Sequence, residues 1–121
     1  MKESGAVDTR RHRLPARHQA YLRRAIRRIV RHVGPDRIIL FGSYASGNSH
    51  EGSDLDLLIV ARSHKHPFDR EQEVDELLWD RPVAMDILVR TPGEIAAYRR
   101  RFQPFWEEIL EEGKTLYAAR R

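Results

Sequence analysis

The chain has 121 residues, 33% of them charged and 40% hydrophobic, with a formal net charge of +4, which is enough for one compact, heavily charged globular domain. It contains no cysteine, which excludes disulfides, thiolate metal sites and cysteine nucleophiles and leaves any metal to carboxylates or histidines. No apolar run is long enough to span a bilayer and no signal-peptide pattern opens the chain, so the cytoplasm is the expected compartment and a membrane is not an expected partner.

The charge is unevenly spread. Residues 1–33 carry ten Lys/Arg against Glu3 and Asp8, a net of +8, whereas residues 34–121 carry twelve against sixteen, a net of −4. A basic arm and helix thus precede a mildly acidic body. Residues 1–13 lack apolar periodicity and are expected to form a poorly ordered basic arm, with 14–121 as a single domain.

Pro15 suits the first turn of a helix. Leu22, Ile26, Ile29, Val30 and Val33 then recur at helical spacing, while Arg23, Arg24, Arg27, Arg28 and Arg31 occupy the opposite face. Gly34-Pro35 ends that helix. Such a basic face can meet nucleic acid or an acidic partner, or simply be solvated. No base-stacking aromatic interleaves with the arginines, which ranks nucleic acid behind the other readings.

Arg37 to Phe41 is a short β-branched apolar run between turn signals and reads as a buried strand. Residues 42–53, rich in Gly, Ser and Asn, read as a loop with one helical turn around Ser43 to Ser46. Leu55 to Ala61 reads as a second strand buried on both faces. Asp69 to Trp79 has the spacing of an amphipathic helix, and Val83 to Val89 that of a third strand with Asp86 in its middle. Thr91, Pro92 and Glu94 form an N-cap, a first-turn proline and a capping-box acid. Pro104 to Leu110 is a last helix, interrupted or ended by Gly113 ahead of Leu116 and Tyr117. Trp79, Phe102, Phe105 and Trp106 are expected in the core or an interface. His64 and His66 read as solvated loop residues, and His50 as a loop histidine near the acidic pair.

The segment with the most chemical content is Gly42-Ser43, followed by Ser53-Asp54-Leu55-Asp56. A strand that ends in Gly-Ser and turns into a helical segment offers backbone N–H groups and a hydroxyl at one point, an arrangement suited to phosphate oxygens. Glycine lets the backbone approach a bulky anion. Asp54 and Asp56, two apart at a strand start, point to one face. Their mutual repulsion is relieved by a cation, and hard oxygen ligands select magnesium or manganese. Asp86 lies in an otherwise apolar strand, where an unpaired buried carboxylate would be costly. A partner is therefore expected for it: the same cation or a second one if the strands are neighbours, otherwise an arginine such as Arg37 or Arg90. Ser53, directly before the pair, joins Gly42 and Ser43 as a candidate nucleotide-binding residue.

At these residues the chain resembles the minimal nucleotidyltransferases of the polymerase-β-like superfamily. Gly42-Ser43 matches their Gly-Ser motif, Asp54-Leu55-Asp56 their Asp-x-Asp and Asp86 their third aspartate, and the likeness runs over about residues 20–117. The resemblance implies an α/β fold with a short mixed sheet flanked by helices. It implies two magnesium ions held by Asp54, Asp56 and Asp86, with ATP as substrate, transfer of AMP to an acceptor hydroxyl and release of pyrophosphate. One departure is Ser46, where many relatives carry arginine or lysine. Members of the family are often antitoxins paired with HEPN-domain ribonuclease toxins, and some adenylylate a tyrosine of the toxin. A toxin partner, or a second copy of the chain, is expected to complete so small a site. The competing readings are an antitoxin acting by contact alone and a transferase acting on a small molecule or an RNA end.

Overall fold

The computed structural model describes residues 14–49 and 52–120, together with the backbone of Gly5–Val7. The elements are β1 (Gly5–Val7), α1 (Ala16–Val33), β2 (Arg37–Phe41), α2 (Ser43–Ser46), β3 (Leu55–Val60), α3 (Pro67–Leu77), β4 (Met85–Arg90), α4 (Pro92–Arg100), α5 (Pro104–Glu112) and β5 (Lys114–Ala119). One sheet in the order β1-β5-β2-β3-β4 joins all the strands. Every pairing is antiparallel except β3 with β4, which is parallel. A parallel pair needs a crossover between its strands, and α3 supplies it. This is the mixed sheet flanked by helices that the sequence led us to expect. Among the described residues no helix is long and apolar enough to cross a membrane.

The strands are buried on both faces because helices cover both. Ile38, Leu40, Leu55, Leu57, Ile59, Ile87 and Val89 face one core with Leu22, Ala25, Ile26 and Ile29 of α1 and Val74 of α3. Ile39, Leu58 and Val60 face the other, with Trp106 and Ile109 of α5 and the partly buried Ile95 and Tyr98 of α4. Period-two alternation therefore sorts each strand between two hydrophobic layers rather than between core and water.

On the face under α4 and α5, residues at matching register form three rows across β2, β3 and β4. Arg37, Val60 and Arg90 make one, Ile39, Leu58 and Leu88 the next, and Phe41, Asp56 and Asp86 the third. The first two rows lie in or beside the core. The third stands at the end of the sheet, and there the acids begin.

Several boundaries differ from expectation. The third helix starts two residues early, at Pro67, because His66 caps it: its Nδ1 accepts from the Phe68 N–H at 3.1 Å. It ends before Trp79, which is 80% exposed, as Phe102 and Phe105 also are exposed, so only Trp106 of the four expected aromatics is core. Where residues 1–13 were expected to lack regular structure, Gly5–Val7 pairs with β5, and the remainder of that arm lies outside the described residues, as does His50. Strand β5 was not anticipated. A register shift at Ile38/Ile39 breaks its alternation, so no period-two pattern marks it. Gly113 makes its approach feasible: a Cβ there would stand 2.4 Å from the Ile109 carbonyl oxygen and 2.5 Å from Ile39 Cγ2.

The α4 cap matches expectation. Thr91 Oγ1 accepts from the Glu94 N–H at 3.1 Å while Glu94 Oε1 accepts from the Thr91 N–H at 2.8 Å. Glu94 also receives Arg70 Nη1 at 2.7 Å, which ties α3 to the start of α4.

Candidate active site

Strand β2 carries Phe41 to the edge of the hydrophobic layers, and the chain must then turn sharply into α2. Gly42 makes that turn with φ 76° and ψ −153°, a conformation open to glycine and costly for any other residue. Its carbonyl accepts the N–H groups of Ala45 at 3.1 Å and Ser46 at 3.0 Å, and Gly47 closes the short helix in the left-handed region. The expected helical turn at Ser43 to Ser46 is thus present.

The same glycine touches the acidic pair. A Cβ built on Gly42 would lie 2.1 Å from Asp56 Oδ2 and 3.0 Å from its Cγ. The Gly-Ser turn therefore packs its bare backbone directly on one of the candidate metal-binding carboxylates. Neither residue explains the other in sequence, since fourteen positions separate them. The antiparallel register Phe41–Asp56 brings them together.

Asp86 stands beside Asp56 at matching register on the parallel strand β4. The Asp56 carboxyl is pushed up from 3.8 to about 6, by burial first, then by its hydrogen bond to Asp86 and by the charges of Asp86 and Asp54. The three aspartates thus share one electrostatic field, with the half-buried Asp56 at its centre. One expectation needs correcting. Asp86 is exposed, not buried in an apolar strand. It lies near the start of the edge strand β4. The arginines considered as its partners are engaged elsewhere: Arg90 with Glu71 and Arg37 with Thr115 Oγ1.

Asp54 is exposed just ahead of β3, and Ser53 is buried next to it. The first backbone bond of the β3–β4 end, Leu55 N–H to the Ala84 carbonyl at 2.9 Å, holds the two acidic strand starts together. Ser43 is half-buried at the mouth of the turn, and the exposed Ser46 places its Oγ 3.3 Å from the Ser43 carbonyl.

These donors suit a hard divalent cation. All are carboxylate oxygens, and Asp56 is raised by burial first and then by its acidic neighbours, both of which a cation would offset. Among the described residues no three His, Asp or Glu side chains stand together as a cage that could hold a metal ion. Magnesium needs no such cage, because it keeps several waters and takes one or two carboxylates plus substrate phosphates.

On its other side Gly42 borders a groove of about 360 Å³. Phe41, Ser43 and Asn48 form one wall and Phe105, Glu108 and Glu112 of α5 the other. Phe105 meets Phe41 edge to face, with ring centroids 6.3 Å apart. Phe41 and Phe105 carried no signal as site residues, because only the packing of α5 over the end of β2 brings them to the loop. A second depression of about 480 Å³ lies at the opposite end of β3. Lys65 pairs with Glu73 there and Arg70 with Glu94, and none of the three aspartates lines it. Volume does not locate the chemistry here. The acids do.

Comparison with known proteins bears on the family and the fold. A family model described as a nucleotidyltransferase domain matches residues 22–114, a span from the middle of α1 to the start of β5. A protein of Methanocaldococcus jannaschii, provisionally named a protein adenylyltransferase, is 36% identical over 84 residues, which are 67% of this chain and 77% of that one. A crystal structure from Sulfolobus solfataricus, provisionally described as a nucleotidyltransferase, superposes with a TM-score of 0.52 at 21% identity over 82% of each chain. At that identity the likeness concerns the fold.

Proposed function

Since the chain belongs to the nucleotidyltransferase-domain family, we propose that it transfers AMP from ATP to an acceptor hydroxyl with the help of two magnesium ions, or manganese in their place. The acceptor we propose is a tyrosine of a HEPN-domain toxin, which makes the chain the antitoxin of a cytoplasmic toxin–antitoxin pair. The choice of AMP and of a protein acceptor draws on the name of the Methanocaldococcus jannaschii relative. The choice of toxin draws on the family resemblance at Gly42-Ser43, Asp54-Leu55-Asp56 and Asp86.

One observation carries the chemical reading: Asp56 and Asp86 stand side by side, and Asp56 keeps its proton to about pH 6 because of burial and that neighbour. Asp54, Asp56 and Asp86 would hold the cations. When bound, these ions neutralise the triphosphate and stabilise charge on the transferring phosphoryl group. The backbone of Gly42 and the Ser43 hydroxyl hold the β- and γ-phosphates, with Ser53 ordering the chain behind them. The acceptor oxygen attacks the α-phosphorus, the bond from that phosphorus to the bridging oxygen breaks, and pyrophosphate leaves with the electron pair. Asp86, exposed at the mouth, receives the acceptor's proton. Little else is asked of the protein, because phosphoryl transfer depends mainly on positioning and charge stabilisation.

The test is transfer of label from α-labelled ATP to a co-purified HEPN partner, run with wild type and with Asp54→Asn/Asp56→Asn. Labelling of a partner tyrosine by wild type alone is expected. Equal labelling by both proteins, or none with either metal, would overturn the reading.

A further inference from the structure

Helix α1 carries six arginines and no acidic residue between Ala16 and Val33. Arg23 and Arg27, Arg24 and Arg28, and Arg27 and Arg31 are each four apart, a spacing at which like charges destabilise a helix. Hydrophobic packing of Leu22, Ala25, Ile26 and Ile29 keeps the helix in place despite this. Arg28 is matched by Asp80, through Nη1–Oδ1 at 2.6 Å and Nη2–Oδ2 at 2.8 Å. Arg17, Arg24, Arg27 and Arg31 remain exposed. From Arg17 to Arg31 the stripe is about 21 Å long at the helical rise, longer than the phosphate chain of a mononucleotide.

Folding also adds what the sequence of α1 lacks, an aromatic platform. Arg28 donates to the Leu77 carbonyl at 3.0 Å as well as to Asp80, and thereby clasps both sides of the Trp79 segment. Trp79 is 80% exposed. Tyr21 donates to Asp80 at 2.9 Å, and the guanidinium of Arg24 lies 5.4 Å from the Tyr21 ring centroid. The Trp79 segment is thus fixed against α1 at Arg28 and Tyr21, and its indole stands in solvent.

We infer that the outer face of α1, together with Trp79, binds a single-stranded polynucleotide. Protein interfaces, although enriched in arginine and aromatic residues, are built on apolar cores, whereas nucleic-acid interfaces are strongly positive. Along this face the guanidiniums of Arg17, Arg24, Arg27 and Arg31 are exposed, as is the indole of Trp79, the combination that pairs phosphates with a stacked base, and the acids Asp75 and Glu76 at the end of α3 mark its border. Asp80, which Arg28 grips, precedes Asp86 by six residues, a span of at most about 22 Å, so the segment held against α1 runs on into the acidic start of β4. The inference does not depend on the nucleotidyl acceptor, and binding can be measured with no nucleotide present.

The experiment uses the full chain and a labelled single-stranded RNA of mixed sequence, with a DNA of the same sequence as a second arm, followed by fluorescence anisotropy. About four phosphate contacts predict a loss of roughly 50-fold in affinity for a fourfold rise in salt. Charge reversal in Arg24→Glu/Arg27→Glu/Arg31→Glu should weaken binding at least 100-fold; all three side chains are exposed, and the new acids at 24 and 27 stand four residues from Arg28 and Arg23, which favours the helix. Trp79→Ala should weaken it roughly 10-fold, in the range of one lost stacking contact. Bound RNA should quench the exposed Trp79 while the buried Trp106, stacked on Tyr98, stays unaffected. Binding to neither RNA nor DNA at low salt, or equal binding by wild type and the triple variant, would overturn the proposal. Polyglutamate competing as well as RNA would overturn it in favour of an acidic protein partner.

Discussion

Asp56 and Asp86 occupy the same register position of two parallel strands, so the repulsion between them is built into the sheet. Side chains at one level of neighbouring strands have little freedom to part. The site is therefore a place where the fold tolerates a charge conflict that a cation can resolve.

The first prediction concerns stability and pH. Asp56 titrates at about 6 in the folded protein against 3.8 as its ordinary value. Between those values the folded state binds more protons than the unfolded state, so stability falls as pH rises through this window and stays lower above it. Asp56→Asn removes that loss. Without divalent ions, the variant should be more stable than wild type at pH 8, by on the order of 1 kcal/mol after allowing for solvent screening. The two should converge below about pH 4. Thermal unfolding across this range measures it, and coincident curves at pH 8 would refute the account of Asp56.

Metal addition should act in the opposite sense. Above pH 6, magnesium or manganese should raise the melting temperature of wild type, because a ligand bound only by the native state stabilises it. The gain should shrink toward pH 5, as the proton competes for Asp56, and should be abolished in Asp54→Asn/Asp56→Asn. Calcium as a larger ion offers a comparison for how tightly the seat selects.

Gly42 and Gly47 form a matched pair of probes. Both have positive φ, 76° and 85°, but a Cβ at Gly42 would strike Asp56 whereas one at Gly47 would meet nothing within 4 Å. Gly47→Ala should cost about 1 kcal/mol and leave transfer nearly intact. Gly42→Ala should cost about 1–3 kcal/mol and reduce transfer at least 100-fold, since it displaces a carboxylate by roughly an ångström. Equal activity in the two variants would mean that the close approach has no functional role.

The cap of α4 separates stability from activity. Thr91→Ala removes the side-chain acceptor of the Glu94 N–H and should cost about 1 kcal/mol in denaturant unfolding, with transfer unchanged at temperatures where the protein is folded. Glu94 is held below its usual carboxylate range by Arg70. Its contribution is present above pH 4.5 and fades as pH falls below that, so Glu94→Gln should matter less in acid than at neutrality.

Much of this was legible in the residues themselves. Arg37 to Phe41 matched its strand to the residue, and Ser43 to Ser46 its helical turn, because a β-branched run between glycine-containing turns leaves few alternatives. Thr91 and Glu94 announced their capping box, and Gly42-Ser43 with Asp54 and Asp56 marked the candidate site, through local chemistry that needs no distant partner. The tertiary structure decided the rest. It alone set Asp86 level with Asp56 and left it exposed, pressed Gly42 onto Asp56, added β5 across a bulged register and stood Trp79 beside the arginines of α1. Local pattern assigns a residue to a face, but which strands are neighbours, and at what register, depends on contacts between distant segments. Those contacts are chosen by the packing of the whole chain.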